Sequence, residues 1–332
     1  MNRLLFFIFT VALFLPIIVL YQIYVPVDKS SDRIKIVNIE RGMGVKGIAK
    51  LLKAEGVIHG EIAFELLTNL KKSQHNIKAG EYELSPAMNS VEILSKLVRG
   101  ESIKISFTIP EGYNILQIAE HLSMKGYINK ERFIKLTRDK EFISKLGIDA
   151  VTLEGYLFPE TYYIFKGANE EEIITIMISQ LNNVLTQADR EQAKRIGFSF
   201  HQVLTLASII EKETKVGEER RLVSAVFHNR LKGNIPLESD PTVIYALLPD
   251  FDGNLTKEDL EINSPYNTYR NRGLPPTPIA SPGLDAIKSA LYPAAVDYLY
   301  FVSMNNGTHK FSTTLKEHNG AVLKYQKYHR QL

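Results

Sequence analysis

The chain has 332 residues, with 40 Lys and Arg against 37 Asp and Glu, a formal net charge of +3. It contains no cysteine, which excludes a disulfide framework, a thiolate nucleophile and a thiolate metal site. Its charges are interspersed, as in Glu218-Glu219-Arg220-Arg221, and form no footprint for nucleic acid.

No charged side chain occurs between Leu4 and Val27. About 20 apolar residues at helical rise cross a hydrocarbon core, so this run predicts a single transmembrane anchor over 4–27, with residues 1–3 as a cytoplasmic tip. Pro16 lies within it, and membrane helices tolerate proline. The exit, Leu20-Tyr21-Gln22-Ile23-Tyr24-Val25-Pro26, has no small-x-small cleavage site, and its tyrosines suit an interface. The remaining chain is long enough for two or three domains.

A repeat follows within residues 33–150, its copies near 34–70 and 103–140. Ile39, Gly42, Ile48, Ala49, Leu52, Gly56 and Ile58 match Ile109, Gly112, Ile118, Ala119, Leu122, Gly126 and Ile128 at an offset of 70. Each copy opens on an alternating stretch, a strand signal, then turns at glycine into apolar residues at helical spacing. Residues 78–84 read as another strand, and Ser90 as the cap of a helix over 91–98. The region therefore reads as small α+β modules, either ligand-binding or a spacer.

After Asp149 the texture changes. Leu153-Glu154-Gly155-Tyr156-Leu157-Phe158-Pro159-Glu160-Thr161-Tyr162 concentrates aromatics, a proline and two acids, fit either to line a groove or to pack as a loop. Helical periods run over 171–187, 202–214 and 219–231. With Val203 at the origin, Glu211 falls between Ala207 and Leu204 inside the apolar arc, and Glu213 at its edge; Thr205, Ser208 and Lys212 fall opposite. A carboxylate on an apolar face loses hydration and favours its protonated form, as a general acid requires. The alternative is a buried acid paired with Arg220 or Arg230.

Further on, Phe227-His228-Asn229-Arg230 precedes Ser239-Asp240-Pro241-Thr242, where Ser239 or Asp240 caps a helix begun by the proline. Pro265-Tyr266-Asn267-Thr268-Tyr269 offers rings, hydroxyls and an amide, Ser281-Pro282 starts a helix towards Leu291, and residues 298–302 and 310–313 form a hairpin through Asn306-Gly307. Rings with amides and acids hold neutral, hydroxyl-rich ligands such as sugars. His228, His309 and His318 lack zinc-ligand spacing, and there is neither a nucleophile elbow nor a phosphate loop.

Ala207-Ser208-Ile209-Ile210-Glu211-Lys212-Glu213-Thr214 resembles the membrane-bound endolytic murein transglycosylases, the MltG or YceG-like family. The resemblance continues through Val226–Leu231, Ser239–Tyr245, Ser264–Tyr269, Gly273–Gly283, Tyr298–Val302 and His309–Phe311, and upstream through Leu153–Tyr162. It implies an α+β chain: one transmembrane helix, LysM-like strand–helix modules, and a mixed α/β catalytic domain over 151–332. It implies Glu211 as the catalytic residue, and we expect Glu154, Glu160, Glu213, Asn229, Asp240, Tyr266, Asn267 and Tyr269 to bind substrate. The implied reaction cleaves the β-1,4 bond between N-acetylmuramic acid and N-acetylglucosamine within peptidoglycan strands, without metal or organic cofactor. Cell-wall synthesis enzymes such as penicillin-binding proteins are the implied partners, at the bacterial cytoplasmic membrane with the catalytic domain outside. The competing readings are a non-catalytic wall-binding protein and a hydrolase in which Glu160 or Asp240 assists Glu211.

Overall fold

A computed structural model describes the backbone of residues 3–327 and the side chains of residues 14–326. The chain divides into two compact units, Met1–Ser106 with Tyr163–Ala168, and Phe107–Tyr162 with Asn169–Leu332.

The first unit begins with α1 (Arg3–Tyr24), then β1 (Lys35–Ile39), α2 (Val45–Ala54), α3 (Glu61–Leu70), β2 (Gly80–Leu84) and α4 (Ser90–Arg99). β1 and β2 pair antiparallel with Val37 opposite Tyr82, giving a strand–helix–helix–strand order. Alternation turns Val37 and Ile39 inward and leaves Ile36 exposed. They pack with Ile48, Leu52, Phe64, Leu84, Ile93 and Leu97, where each large side chain removed from water contributes about 2 kcal/mol. The cap of α4 is Asn89, not the expected Ser90. Asn89 has the extended backbone of a cap and accepts from the Val91 and Glu92 amides, while the Ser90 hydroxyl donates to the Gln22 carbonyl at 3.2 Å.

The predicted anchor meets a different setting at its C-terminal end. Met1 and Asn2, and the side chains of residues 3–13, lie outside the described residues. Among the described residues no helix is long and apolar enough to cross a membrane. Phe14, Leu15, Ile17, Ile18 and Leu20 are at least half exposed, yet Ile23 is 4% exposed within the core and Val19 packs against it. Residues 19 and 23 are one helical repeat apart, so this face of α1 belongs to the protein core where the sequence reading had lipid through Val27.

β3 (Lys104–Thr108) leads into the second unit, followed by α5 (Ile115–Met124), α6 (Lys130–Leu136), α7 (Lys140–Lys145) and β4 (Thr161–Phe165). β3 pairs with β4, and both strands cross the division between units along their own length. The repeat is visible in the backbone: Gly42 and Gly112 have φ of 74° and 76°, and Gly56 and Gly126 have 66° and 70°. These left-handed turns require glycine or strain. The division at Ser106 puts the second copy from Phe107 onward in the unit that also holds Glu211.

The chain continues through α8 (Glu170–Val184), α9 (Gln187–Arg195), α10 (Phe200–Glu213), α11 (Gly217–Lys232), α12 (Asp240–Ala246), α13 (Leu284–Leu291), β5 (Tyr300–Ser303), β6 (His309–Ser312) and α14 (Leu315–Val322). α10 starts at a capping box between Ser199 and Gln202 and packs against α9, α11, α12 and α13. From Val203 to Ile210 it is buried on every side: Thr205 and Ser208, assigned by periodicity to the outer face, are 1% and 0% exposed, and of that face only Lys212, in the last turn, is exposed. The Thr205 hydroxyl donates to the His201 carbonyl. The Ser208 hydroxyl donates to Thr205 and accepts from the Ile279 amide at 3.0 Å, so both polar groups are satisfied without water. The expected hairpin is present, with Phe301 opposite Phe311.

Candidate active site

The last turn of α10 carries both glutamates of Glu-Lys-Glu. The Glu211 side chain is 6% exposed. Its Oε2 accepts the Gly283 amide at 2.9 Å, at the N-terminus of α13, and its Oε1 accepts from Arg220 Nη2 at 3.0 Å. The acid on the apolar arc and its arginine partner, posed as alternatives in the sequence, therefore occur together. Burial raises the Glu211 pKa; the Gly283 amide and Arg220 oppose it, and Glu111 and Asp285 reinforce it.

Two positions on, Glu213 accepts from the Ser239 hydroxyl at 2.5 Å. Burial pushes its pKa up to about 7 against that hydrogen bond. Neither Ser239 nor Asp240 caps α12 through its side chain. Ser239 turns to Glu213, and Asp240 accepts from the Tyr269 hydroxyl at 2.6 Å. Glu213, Asp240 and Tyr269 line one cavity of about 410 Å³ together with Arg230, Glu238 and Tyr300. Glu213, and not Glu211, faces this cavity.

The other expected substrate-binding residues are dispersed. Glu154 is 3% exposed and accepts from the Ile115 amide at 3.1 Å and the Tyr245 hydroxyl at 3.0 Å. Burial outweighs those bonds and raises its pKa to about 7. Glu154 and Tyr266 border a second cavity of about 450 Å³, where the Tyr266 hydroxyl meets Thr277 Oγ1. Glu160 is exposed and accepts from the adjacent Thr161 amide. The Asn229 amide donates to the Val296 and Tyr298 carbonyls, bracing the start of the hairpin. Asn267 is 0% exposed and donates to Leu260 and Ile262. Both amides tie down loops, and Asn267 presents nothing to a ligand.

Sequence reasoning missed Glu111, Gly283 and Asp285. Arg220 Nη2 lies 3.7 Å from Glu111 Oε2, and Nη1 lies 3.6 Å from Asp285 Oδ2. The available signal was the repeat itself: Glu111 occupies the position held by Arg41 in the first copy, a charge reversal on an otherwise matched turn.

A helical unit presenting a buried, donor-bound glutamate beside a polar cavity is a candidate acid–base centre. The model of the YceG-like family matches residues 37–324, and the chain belongs to that family. It is 39% identical over 316 residues to an endolytic murein transglycosylase of Bacillus subtilis, covering 90% of this chain and 87% of that protein. It is 31% identical to an endolytic murein transglycosylase of Streptococcus pneumoniae, covering 90% of this chain and 60% of that longer protein. A crystal structure of a YceG-like protein from Listeria monocytogenes matches with a TM-score of 0.59 and 36% identity, covering 87% of this chain and 99% of that one.

Proposed function

We propose that this chain is an endolytic peptidoglycan lytic transglycosylase with Glu211 as its single acid–base group. The observation that carries this reading is the Glu211 setting: a nearly buried carboxylate with a raised pKa, held by the Gly283 amide and Arg220. Protonated Glu211 donates to the glycosidic oxygen as the bond from the muramic anomeric carbon breaks and an oxocarbenium-like centre forms. The resulting carboxylate removes the proton from the muramic 6-hydroxyl, whose oxygen bonds to the anomeric carbon and closes a 1,6-anhydro ring. Glu211 ends protonated, ready for another cycle. The attacking hydroxyl is already tethered to the sugar, an effective-concentration advantage over water. Glu213, Asp240 and Tyr269 share a cavity that Glu211 does not line, and they hold the strand away from the bond being cut.

The apolar run from Leu4 to Ile18 anchors the chain once in the bacterial cytoplasmic membrane, with the catalytic unit outside, while Val19 and Ile23 close the first unit's core. The exposed apolar side chains of residues 14–18 support that reading. The strand–helix modules are LysM-like and hold glycan or set its distance from the membrane, and cleavage ends strand growth beside synthesis enzymes such as penicillin-binding proteins.

The test is digestion of purified glycan strands in ¹⁸O-labelled water, with the new ends weighed by mass spectrometry. The expected ends are 1,6-anhydro-muramic acid without label. Labelled reducing ends would instead establish a hydrolase, and bound but uncut strands a wall-binding protein.

A further inference from the structure

Glu211 does not have Arg220 to itself. The guanidinium lies 3.0 Å from Glu211 Oε1, 3.7 Å from Glu111 Oε2 and 3.6 Å from Asp285 Oδ2. Glu111 belongs to the glycine turn after β3, in the second copy of the repeat, and that turn is firmly tied. The Gly112 amide donates to the Ser281 carbonyl at 2.9 Å, and the Ser281 amide donates to the Tyr113 carbonyl at 2.8 Å. Lys212 Nζ donates to the Gly112 carbonyl at 3.3 Å. A Cβ placed on Gly283 would overlap the Glu111 carboxylate. The residue whose amide binds Glu211 thus also provides the space that Glu111 fills.

On the reading of Glu211 as the acid–base group, we propose that Glu111 is a positioning residue, which shares Arg220 with Glu211 and so prevents the guanidinium from acting as an exclusive counter-ion. A general acid has to carry a proton when substrate arrives, and an undivided ion pair with arginine favours the ionised carboxylate. Among the described residues, the charged groups facing Glu211 are Arg220 from α11, Glu111 from the β3–α5 turn and Asp285 from α13. Lys212, its neighbour on α10, is engaged with the Gly112 carbonyl. The Asp285 side chain is 80% exposed, against 49% for Glu111; water screens Asp285 more strongly, leaving Glu111 the stronger competitor. The direction of the Glu211 pKa agrees: Glu111 raises it and Arg220 lowers it.

The experiment measures glycan-strand cleavage by the full chain against pH for the parent, Glu111→Gln, Glu111→Asp and Asp285→Asn, with Glu211→Gln as reference. Glu111→Gln is expected to move the alkaline limb to lower pH by about half a unit or more, roughly a threefold loss of rate on that limb. The rate should recover as the pH is lowered. Glu111→Asp should restore most of the parent profile, and Asp285→Asn should shift it less than Glu111→Gln does. A Glu111→Gln profile superimposed on the parent would overturn the proposal, and so would a uniform loss at every pH accompanied by a lower melting temperature. Cleavage surviving in Glu211→Gln would overturn the acid–base reading itself, whereas an inactive Glu211→Gln with an unshifted Glu111→Gln removes only the role given to Glu111.

Discussion

Glu211 and Glu213 are two residues apart on one helical turn, yet their partners differ in charge. Glu211 meets a guanidinium and a backbone amide, and Glu213 meets a serine hydroxyl. Glutamine at 211 keeps an acceptor for the amide but cannot transfer a proton. Glu211→Gln is therefore expected to reduce muropeptide release by a factor of order 10² or more with little change in melting temperature. Glu213→Gln should retain more activity, because glutamine still accepts from Ser239; release assays on the two variants would reveal a reversed assignment directly. Helical periodicity made Glu211 legible, since it alone places an acid within an apolar arc. The same periodicity misplaced Thr205 and Ser208, because it assumes a continuous solvent face, which α10 lacks between Val203 and Ile210. The charge reversal in the repeat marks Glu111, but its approach to Arg220 bridges more than 100 residues of sequence, and no local pattern encodes a contact of that range.

Helices and strands were easier to find than their ends. The hairpin and the helices over Glu211 and Arg220 followed from alternation and period. The breaks did not: the expected helix over 171–187 ends at Val184, and α9 starts afresh at the Thr186 capping box. α12 shows why capping rules fail near a site, since Ser239 and Asp240 have the side chains of caps but bond to Glu213 and Tyr269 instead. The end of α1 carries a prediction at this scale. A chain beginning at residue 28 lacks Val19 and Ile23, which help close the first unit's core. Deleting a buried aliphatic side chain costs about 2–5 kcal/mol. Thermal unfolding should show the first unit clearly destabilised in that chain, and little affected in one beginning at residue 14. Equal melting of the two would mean the core closes without α1.

Across the whole molecule, buried acids set the pH at which folding is favoured. Glu154 and Glu213 have folded pKa values of about 7 against 4.5 for the free side chain. An acid raised on folding holds its proton where the unfolded chain has lost it. Its contribution is present below about 4.5 and is lost as pH climbs through about 7. At most this amounts to about 3 kcal/mol per group. Asp189 behaves oppositely: burial raises its pKa, but Lys288 and Thr186 outweigh burial and hold it at about 2, so its contribution is lost as pH falls through that value. His228, lowered by burial, likewise weakens folding once the unfolded ring charges below about 6.5. Glu154→Gln is expected to flatten the fall in melting temperature between pH 5 and 7. An unchanged slope would show that Glu154 titrates normally.

The interruption of the first unit bears on how the chain is made. Its final segment, Tyr163–Ala168, brings Lys166 within 3.0 Å of Glu81 and places Phe165 under the Arg41 guanidinium at 5.5 Å. Those residues leave the ribosome only after the intervening stretch of the second unit, and synthesis proceeds at about 5–20 residues per second. For several seconds the nascent chain therefore holds β1, β2 and their helices complete while β3 waits without its partner strand. An unpaired strand edge is a template for misassociation. The stretch between β3 and β4, which carries the rest of the second copy of the repeat, sets the length of that vulnerable interval.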